Sequence, residues 1–384
     1  MTCVRGAALP RVVVFALAVA PLFFSDTGDV LNNMVVAAVY VVMALGLNII
    51  VGFAGLLDLG YVAFYAFGAM VVGWWASGFF TGSGGAEEGV HIGVTGFTDT
   101  LPGIHVNFLI LVIGAIIVCA LAGAIIGLPT LRLRGDYIAI VTLAFGEIIG
   151  RVFVNGDEVT VFSDYKLSNG RQSISPIDAI DLPLLQPFDS ALNLRPYYWT
   201  IFAIGLVVLF VNVRLRDSKL GRAWIAVRDD ESAAACAGVP LVRTKLLAYG
   251  TGAALGGISG AFFASYLGVV NPARFEFSFS IFILAMVVLG GLGSISGVVV
   301  GAIILSVVNN YLLPDVLFDL PSKVGLAFDL SEISSGIYGA ILVVVMLLRP
   351  HGLVPARRTV ERKATLKAMT RGRAGRRRSL QGST

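Results

Sequence analysis

The sequence predicts an all-α protein that crosses a membrane about ten times. Three observations carry that reading. Of 384 residues, 57% are apolar and only 14% are charged, against about 45–50% and about 25% in soluble domains. The apolar residues also fall in long continuous blocks, on the scale of the ~20 residues that one helical span needs. Lys and Arg, finally, are concentrated in a few connections, as the enrichment of cytoplasmic loops in basic residues requires. This composition excludes an ordinary soluble enzyme and a disordered chain. It excludes a membrane β-barrel too, whose strands would alternate in character over about 10 residues.

The blocks run in order over 12–25, 31–51, 59–80, 106–129, 137–154, 197–213, 245–269, 280–313 and 335–348. The first resembles a signal peptide, but Pro21 follows Ala18-Val19-Ala20 and would hinder cleavage. It is read as a short retained span. The block 280–313 is long enough for two short passes. It is interrupted at Gly290-Gly291-Leu292-Gly293-Ser294, and glycine weakens a helix interior by about 0.8–1.0 kcal/mol relative to Ala. Splitting it there gives ten crossings.

Charge sets the orientation. The stretch 214–245 carries Arg214, Arg216, Lys219, Arg222, Arg228, Arg243 and Lys245. From Arg349 to Arg378 there are eleven basic residues and one acid, Glu361. By contrast, 155–195 holds six acids against three bases, and 81–105 holds Glu87, Glu88 and Asp99 with no Lys or Arg. The first two segments are therefore expected inside and the last two outside, with both termini inside. The domain reading is a permease domain over 1–348, with an external loop at 155–196, and a basic tail over 349–384. The tail lacks interleaved aromatics, which argues against a nucleic-acid platform; its expected neighbour is anionic membrane lipid.

Chemistry-bearing motifs are few. Cys3, Cys119 and Cys236 lie far apart and cannot form a CxxC metal site. The chain has no Gly-Lys dipeptide, so no Walker-type nucleotide loop is expected. No Ser/His/Asp set emerges, and no carboxylate pair lies in a plausible cleft. Catalytic and metal-binding residues are therefore expected to be absent.

Two glycine-broken segments stand out. One runs from Gly46 through Asn48, Gly52 and Gly55 to Asp58 and Gly60; the other spans Gly290 to Gly297. Gly-interrupted apolar segments in corresponding halves are a pointer to a transporter's binding region, although small residues also serve close helix packing. Asn48, Asp58, Gly290, Gly291, Gly293 and Ser294 are the predicted pathway residues. Asp58 either lines that route or caps the next helix. Glu147 precedes Arg151 by four residues, the spacing of a helical ion pair. The run Gly252, Gly256, Gly260 fits helix packing.

The 214–245 stretch reads as a short amphipathic helix, a glycine stop and a return to the membrane. Trp224, Val227 and Ala234 or Ala235 can share one face. Such a helix could dock into a partner's groove, though its charges alone would also explain a solvated loop.

These residues resemble the LivM-type permease subunit of bacterial branched-chain amino acid ATP-binding cassette (ABC) importers. The resemblance runs through Leu45-GLNIIVGFAGLLDLGYVAFYAFGAM to Met70, and Leu131-RLRGDYIAIVTLAFGEII to Ile149. It continues through Ser218-KLGRAWIAVRDDESAAACAGV to Val239, Lys245-LLAYGTGAALGGISGAFFA to Ala264 and Ile283-LAMVVLGGLGSISGVVVGA to Ala302. The external insertion and the basic tail depart from the family pattern. The resemblance implies an ABC importer permease fold in the bacterial inner membrane, and translocation without chemistry on the solute. It implies a second homologous permease, two cytoplasmic ATPase subunits and an extracytoplasmic substrate-binding protein as partners. No cofactor is expected on this chain; ATP and Mg belong to the ATPases. The 218–239 segment matches the ATPase-docking loop, with Gly221, Trp224, Glu231 and Gly238 as its candidate residues. The alternatives are an ABC permease for urea or short amides and, in another class, an ATPase-independent secondary transporter.

Overall fold

The computed structural model describes residues 20–23, 28–82, 90–94, 102–130, 133, 136–161, 165–181, 188, 193–310 and 352–354. The predicted first and last spans, 12–25 and 335–348, lie mostly or wholly outside them, as does the tail beyond 354.

The other predicted spans are helices. They are α1 (Asp29–Leu47), α2 (Val62–Trp75), α3 (Phe108–Thr130), α4 (Asp136–Val154), α5 (Arg195–Asp217), α8 (Leu241–Leu267), α9 (Phe277–Gly290) and α10 (Ile295–Val307). Two short helices, α6 (Lys219–Asp229) and α7 (Glu231–Cys236), form the basic connection. Among the described residues, five segments are long and apolar enough to cross a membrane, and three apolar helices are shorter. The shorter ones adjoin the two glycine-broken segments. The 280–313 block divides where the glycines suggested, between α9 and α10.

Helix α8 is the hub, packed against α1, α2 and α3. Its glycines make that possible. A Cβ at Gly252 would lie 2.5 Å from Ile50 Cγ1, one at Gly256 3.1 Å from Tyr61 Oη, and one at Gly260 2.1 Å from the Tyr65 carbonyl oxygen. Small residues let backbones approach where lipid supplies no hydrophobic drive for helix association. The packing reading of this run agrees with the contacts.

The acid-rich segments meet at one end of the bundle. Strands β1 (Ala76–Ser77), β2 (Val90–Ile92) and β3 (Ile104–Val106) form a sheet in the order β1-β3-β2. Ser77 bridges to Ile177, and the Asp178 amide donates to the Ala76 carbonyl at 2.8 Å. His105 Nδ1 and Asp178 Oδ2 lie 2.7 Å apart. Burial pushes the Asp178 carboxyl above its ordinary pKa, against the pull of its His105 hydrogen bond. The Ile177 amide reaches the Gly268 carbonyl just past α8. The basic α6–α7 connection joins the opposite end of α8.

That separation yields a direct check of orientation. Cys119 is buried and Cys236 is exposed on α7. In a Cys3→Ser background, an impermeant maleimide is expected to label Cys236 from the cytoplasmic face alone. Labelling from the external face would reverse the charge-based orientation.

Candidate functional site

The two broken segments come together. Helix α1 continues past Leu47 into a π-turn, Asn48–Phe53. Gly52 is required there, because a Cβ would lie 2.0 Å from Asn48 Oδ1. Asn48 is fully buried, and its Oδ1 accepts a hydrogen bond from the Gly293 amide at 2.9 Å. Its Nδ2 is buried without a hydrogen-bond partner among the described residues. Sequence separation hides this contact: the two residues are 245 positions apart.

The second break is a helix end and a new start. Gly291 (φ +116°) and Gly293 (φ +79°) take conformations that L side chains rarely adopt. Ser294 caps α10, its hydroxyl accepting from the Gly297 amide at 3.2 Å. Two buried carbonyls at the end of α9, left without partners inside the helix, are satisfied from the chain that follows 335–348. Leu353 N donates to the Leu289 carbonyl at 2.9 Å and Val354 N to the Gly290 carbonyl at 3.1 Å.

Asp58 is not a helix cap. Helix α2 begins at Val62, and Asp58 Oδ1 instead accepts from the Gly60 amide at 2.9 Å, closing a local turn. The carboxylate is 2% exposed, beside Thr142 on α4. Gly60 packs on the Thr142 carbonyl, and Tyr61 Oη donates to the Gly252 carbonyl at 2.9 Å. Thr142 and Gly252 lie within α4 and α8, and Asp58, Gly60 and Tyr61 are buried against them, whereas Gly55 and Leu57 of the same non-helical stretch are exposed. Burial in protein is the setting in which irregular backbone is tolerated within a membrane. Glu147 and Arg151 do face each other at 3.6 Å on an exposed side of α4.

The basic connection is folded onto the bundle. Ser218 caps α6, its hydroxyl accepting from the Gly221 amide at 3.2 Å. Gly221 leaves no room for a side chain: a Cβ would lie 2.1 Å from the Leu215 carbonyl oxygen. Asp230 caps α7 through the Ala233 amide at 2.9 Å. Gly238 (φ +83°) ends α7 with the paired bonds of a Schellman turn, Gly238 N to Ala235 O and Val239 N to Ala234 O, both 3.0 Å.

Trp224, Val227 and Ala234 share the buried face. Trp224 is 0% exposed, and its indole N–H donates to the Thr244 carbonyl at 2.8 Å. Its side chain therefore anchors α6 to the start of α8 within this chain and is not presented outward. Lys245 Nζ meets Glu231 Oε1 at 2.7 Å, tying α7 to the same helix turn. The amphipathic pattern was legible in the sequence; whether its apolar face met this chain or another was not, because both give the same periodicity.

Sequence reasoning missed Arg228. Its Nη1 donates to the Gly52 carbonyl, 176 positions away, and its Cγ would lie 2.6 Å from a Cβ at Gly55. The basic connection thus touches the first break directly. Elsewhere, an apolar groove of about 790 Å³ runs between α3 and α8, bordered by Ile116, Ala120, Ala124, Leu246, Gly250 and Ala254. None of the predicted pathway residues lines it.

Comparison with known proteins identifies the family. The profile of the family described as "Branched-chain amino acid transport system / permease component" matches residues 30–346. The high-affinity branched-chain amino acid transport system permease protein LivM of Escherichia coli is 36% identical over 369 residues, covering 90% of this chain and 75% of its own. LivM of Salmonella typhimurium is 35% identical, covering 89% and 73%. LivH, a permease protein of the same kind of system in Salmonella typhimurium, is 26% identical over 165 residues, covering 43% and 48%. No solved structure matches the chain. With residues 30–346 matched by that profile, the chain belongs to the permease components of branched-chain amino acid transport systems.

Proposed function

We propose that this chain is one membrane half of an ABC importer and passes branched-chain, aliphatic amino acids by alternating access. The observation that carries the proposal is the position of α6 and α7. They are clamped to α8 by Trp224 and by the Glu231–Lys245 pair, and they touch the glycine break of α1. A rigid element so placed converts a push from the cytosol into motion of the broken helices.

The push comes from two ATPase subunits that hold ATP and Mg. A homologous LivH-like permease forms the other half of the route, and an extracytoplasmic binding protein delivers the solute. The exposed face of α6–α7, opposite Trp224, meets the ATPase; Gly221 and Gly238 shape that face and Glu231 fixes it. Asn48, whose buried Nδ2 has no partner among the described residues, Asp58 and the Gly290–Ser294 turn stand beside the route. An aliphatic solute needs an apolar passage with a few polar groups for its ammonium and carboxylate, and backbone at a break supplies them without added charge.

The test is uptake by the complex, purified with its ATPases, reconstituted in vesicles and supplied with its binding protein. Labelled leucine, isoleucine and valine are expected to accumulate only with ATP. Preference for urea or a short amide would move the chain to a different solute class. Accumulation without ATP would make it a secondary transporter.

A further inference from the structure

Arg228 occupies a seat made of glycines. It is in the last turn of α6, on the exposed side of that helix. Its guanidinium nevertheless turns inward, and Nη1 donates to the Gly52 carbonyl. That carbonyl lies at the end of the π-turn that terminates α1, where backbone oxygens lack partners within the helix and the dipole favours a cation. The arginine stem crosses Gly55, whose φ of +72° turns the chain away beneath it. A Cβ at Gly55 would lie 2.6 Å from Arg228 Cγ. On the other side, a Cβ at Gly293 would lie 3.0 Å from Arg228 Nη1 and 3.0 Å from the Gly52 oxygen. The Gly293 amide in turn holds Asn48.

One side chain therefore reaches from the basic connection to both broken segments. We infer that Arg228 is a positioning residue that transmits motion of α6 to the two breaks at once. Gly52, Gly55 and Gly293 form its socket. The inference rests on the importer reading above and adds the residue through which the drive acts. The chemistry suits the role. A guanidinium offers several donors in a fixed planar fork, so it can hold one backbone oxygen while its stem remains packed. The other ties between α6–α7 and the bundle described above end on α8 (Thr244 and Lys245), and neither reaches a break.

The test compares Arg228→Ala, Arg228→Lys and Arg214→Ala in the reconstituted complex. Arg214 carries the same charge in the last turn of α5, where it lies over the Phe210 ring at 5.6 Å. Three quantities are read: ATPase co-purification, ATP hydrolysis and solute accumulated per ATP hydrolysed. For Arg228→Ala, co-purification and hydrolysis are expected to persist, while solute per ATP falls about tenfold, within the range of ordinary coupling free energies. Arg228→Lys, which keeps the cation but loses the fork, should recover part of that loss. Arg214→Ala should match the unaltered chain.

Equal coupling in Arg228→Ala and the unaltered chain would overturn the inference. So would an equal loss in Arg214→Ala, which would trace the effect to loop charge. If Arg228→Ala fails to assemble, Arg228→Lys decides: full coupling overturns the inference, and assembled but poorly coupled complex upholds it. A different failure marks the underlying reading. If the unaltered chain neither retains ATPase subunits nor accumulates solute with ATP, the importer assignment falls and the transmission role falls with it.

Discussion

Replacement of Trp224 by alanine is expected to detach α6 from the bundle and uncouple the complex. The indole is fully buried on the basic connection, and its N–H is bonded to the Thr244 carbonyl. Removing a buried Trp typically costs about 3–5 kcal/mol, from lost transfer free energy and the cavity left behind. The local consequence is larger than that figure suggests, because α6 is only 11 residues long. Isolated helices of that length are marginal in water, so α6 depends on its packed face. Trp224→Phe keeps most of the apolar volume and loses the N–H donor, a change of about 1 kcal/mol. Thermal unfolding of the purified complex should therefore rank unaltered chain, Trp224→Phe and Trp224→Ala in falling order, with uptake per ATP following the same order. Unchanged unfolding and uptake in Trp224→Ala would show that α6 is held by something other than this anchor.

The anchoring role shows how far the residues could be read without coordinates. The spans were legible because a lipid-facing helix advertises itself by continuous apolarity, and the break between α9 and α10 because three glycines cluster there. Asn48 and Gly293 were each legible as members of a break, yet their hydrogen bond was not, since no local pattern records a partner 245 positions away. Trp224 was legible as an apolar anchor on an amphipathic helix; the surface it anchors to was not. Asp58 illustrates a different limit. Asp is favoured both as a helix cap and as a turn-former, and the unrecognised turn at Gly60 delayed α2 until Val62. Span 59–80 shortened for the same kind of reason. At its C-terminal end Ala76 and Ser77 leave the helix to pair with β3, a long-range contact that outweighs local helix propensity.

Packing at the α2–α8 crossing gives the second large effect, and it separates two glycines of one helix. Gly260→Ala is expected to destabilise the protein by about 1–3 kcal/mol, the usual range for overpacking. Its new methyl would sit 2.1 Å from the Tyr65 carbonyl oxygen and 3.0 Å from the Ala69 amide nitrogen. Both obstacles are backbone, so no rotamer change can clear them. Helix α2 cannot step aside freely either. The Val62 amide donates to Ser280 Oγ on α9 at 3.0 Å, Trp74 Nε1 donates to the Leu167 carbonyl at 2.9 Å, and Gly68 lies against Gly257 one turn away. Any forced shift of α2 is passed to Tyr61 and the break that precedes it, so uptake should fall along with stability. Gly250→Ala supplies the contrast. Its methyl would meet nothing closer than the Ala120 carbonyl oxygen at 3.4 Å, an ordinary contact. The exchange should be neutral or should gain up to about 1 kcal/mol of helix propensity. Melting temperatures measured in one detergent should therefore move in opposite directions, or move for Gly260→Ala alone. Equal melting temperatures for the two variants would mean that α2 and α8 are not in the close backbone contact that the glycines of α8 permit.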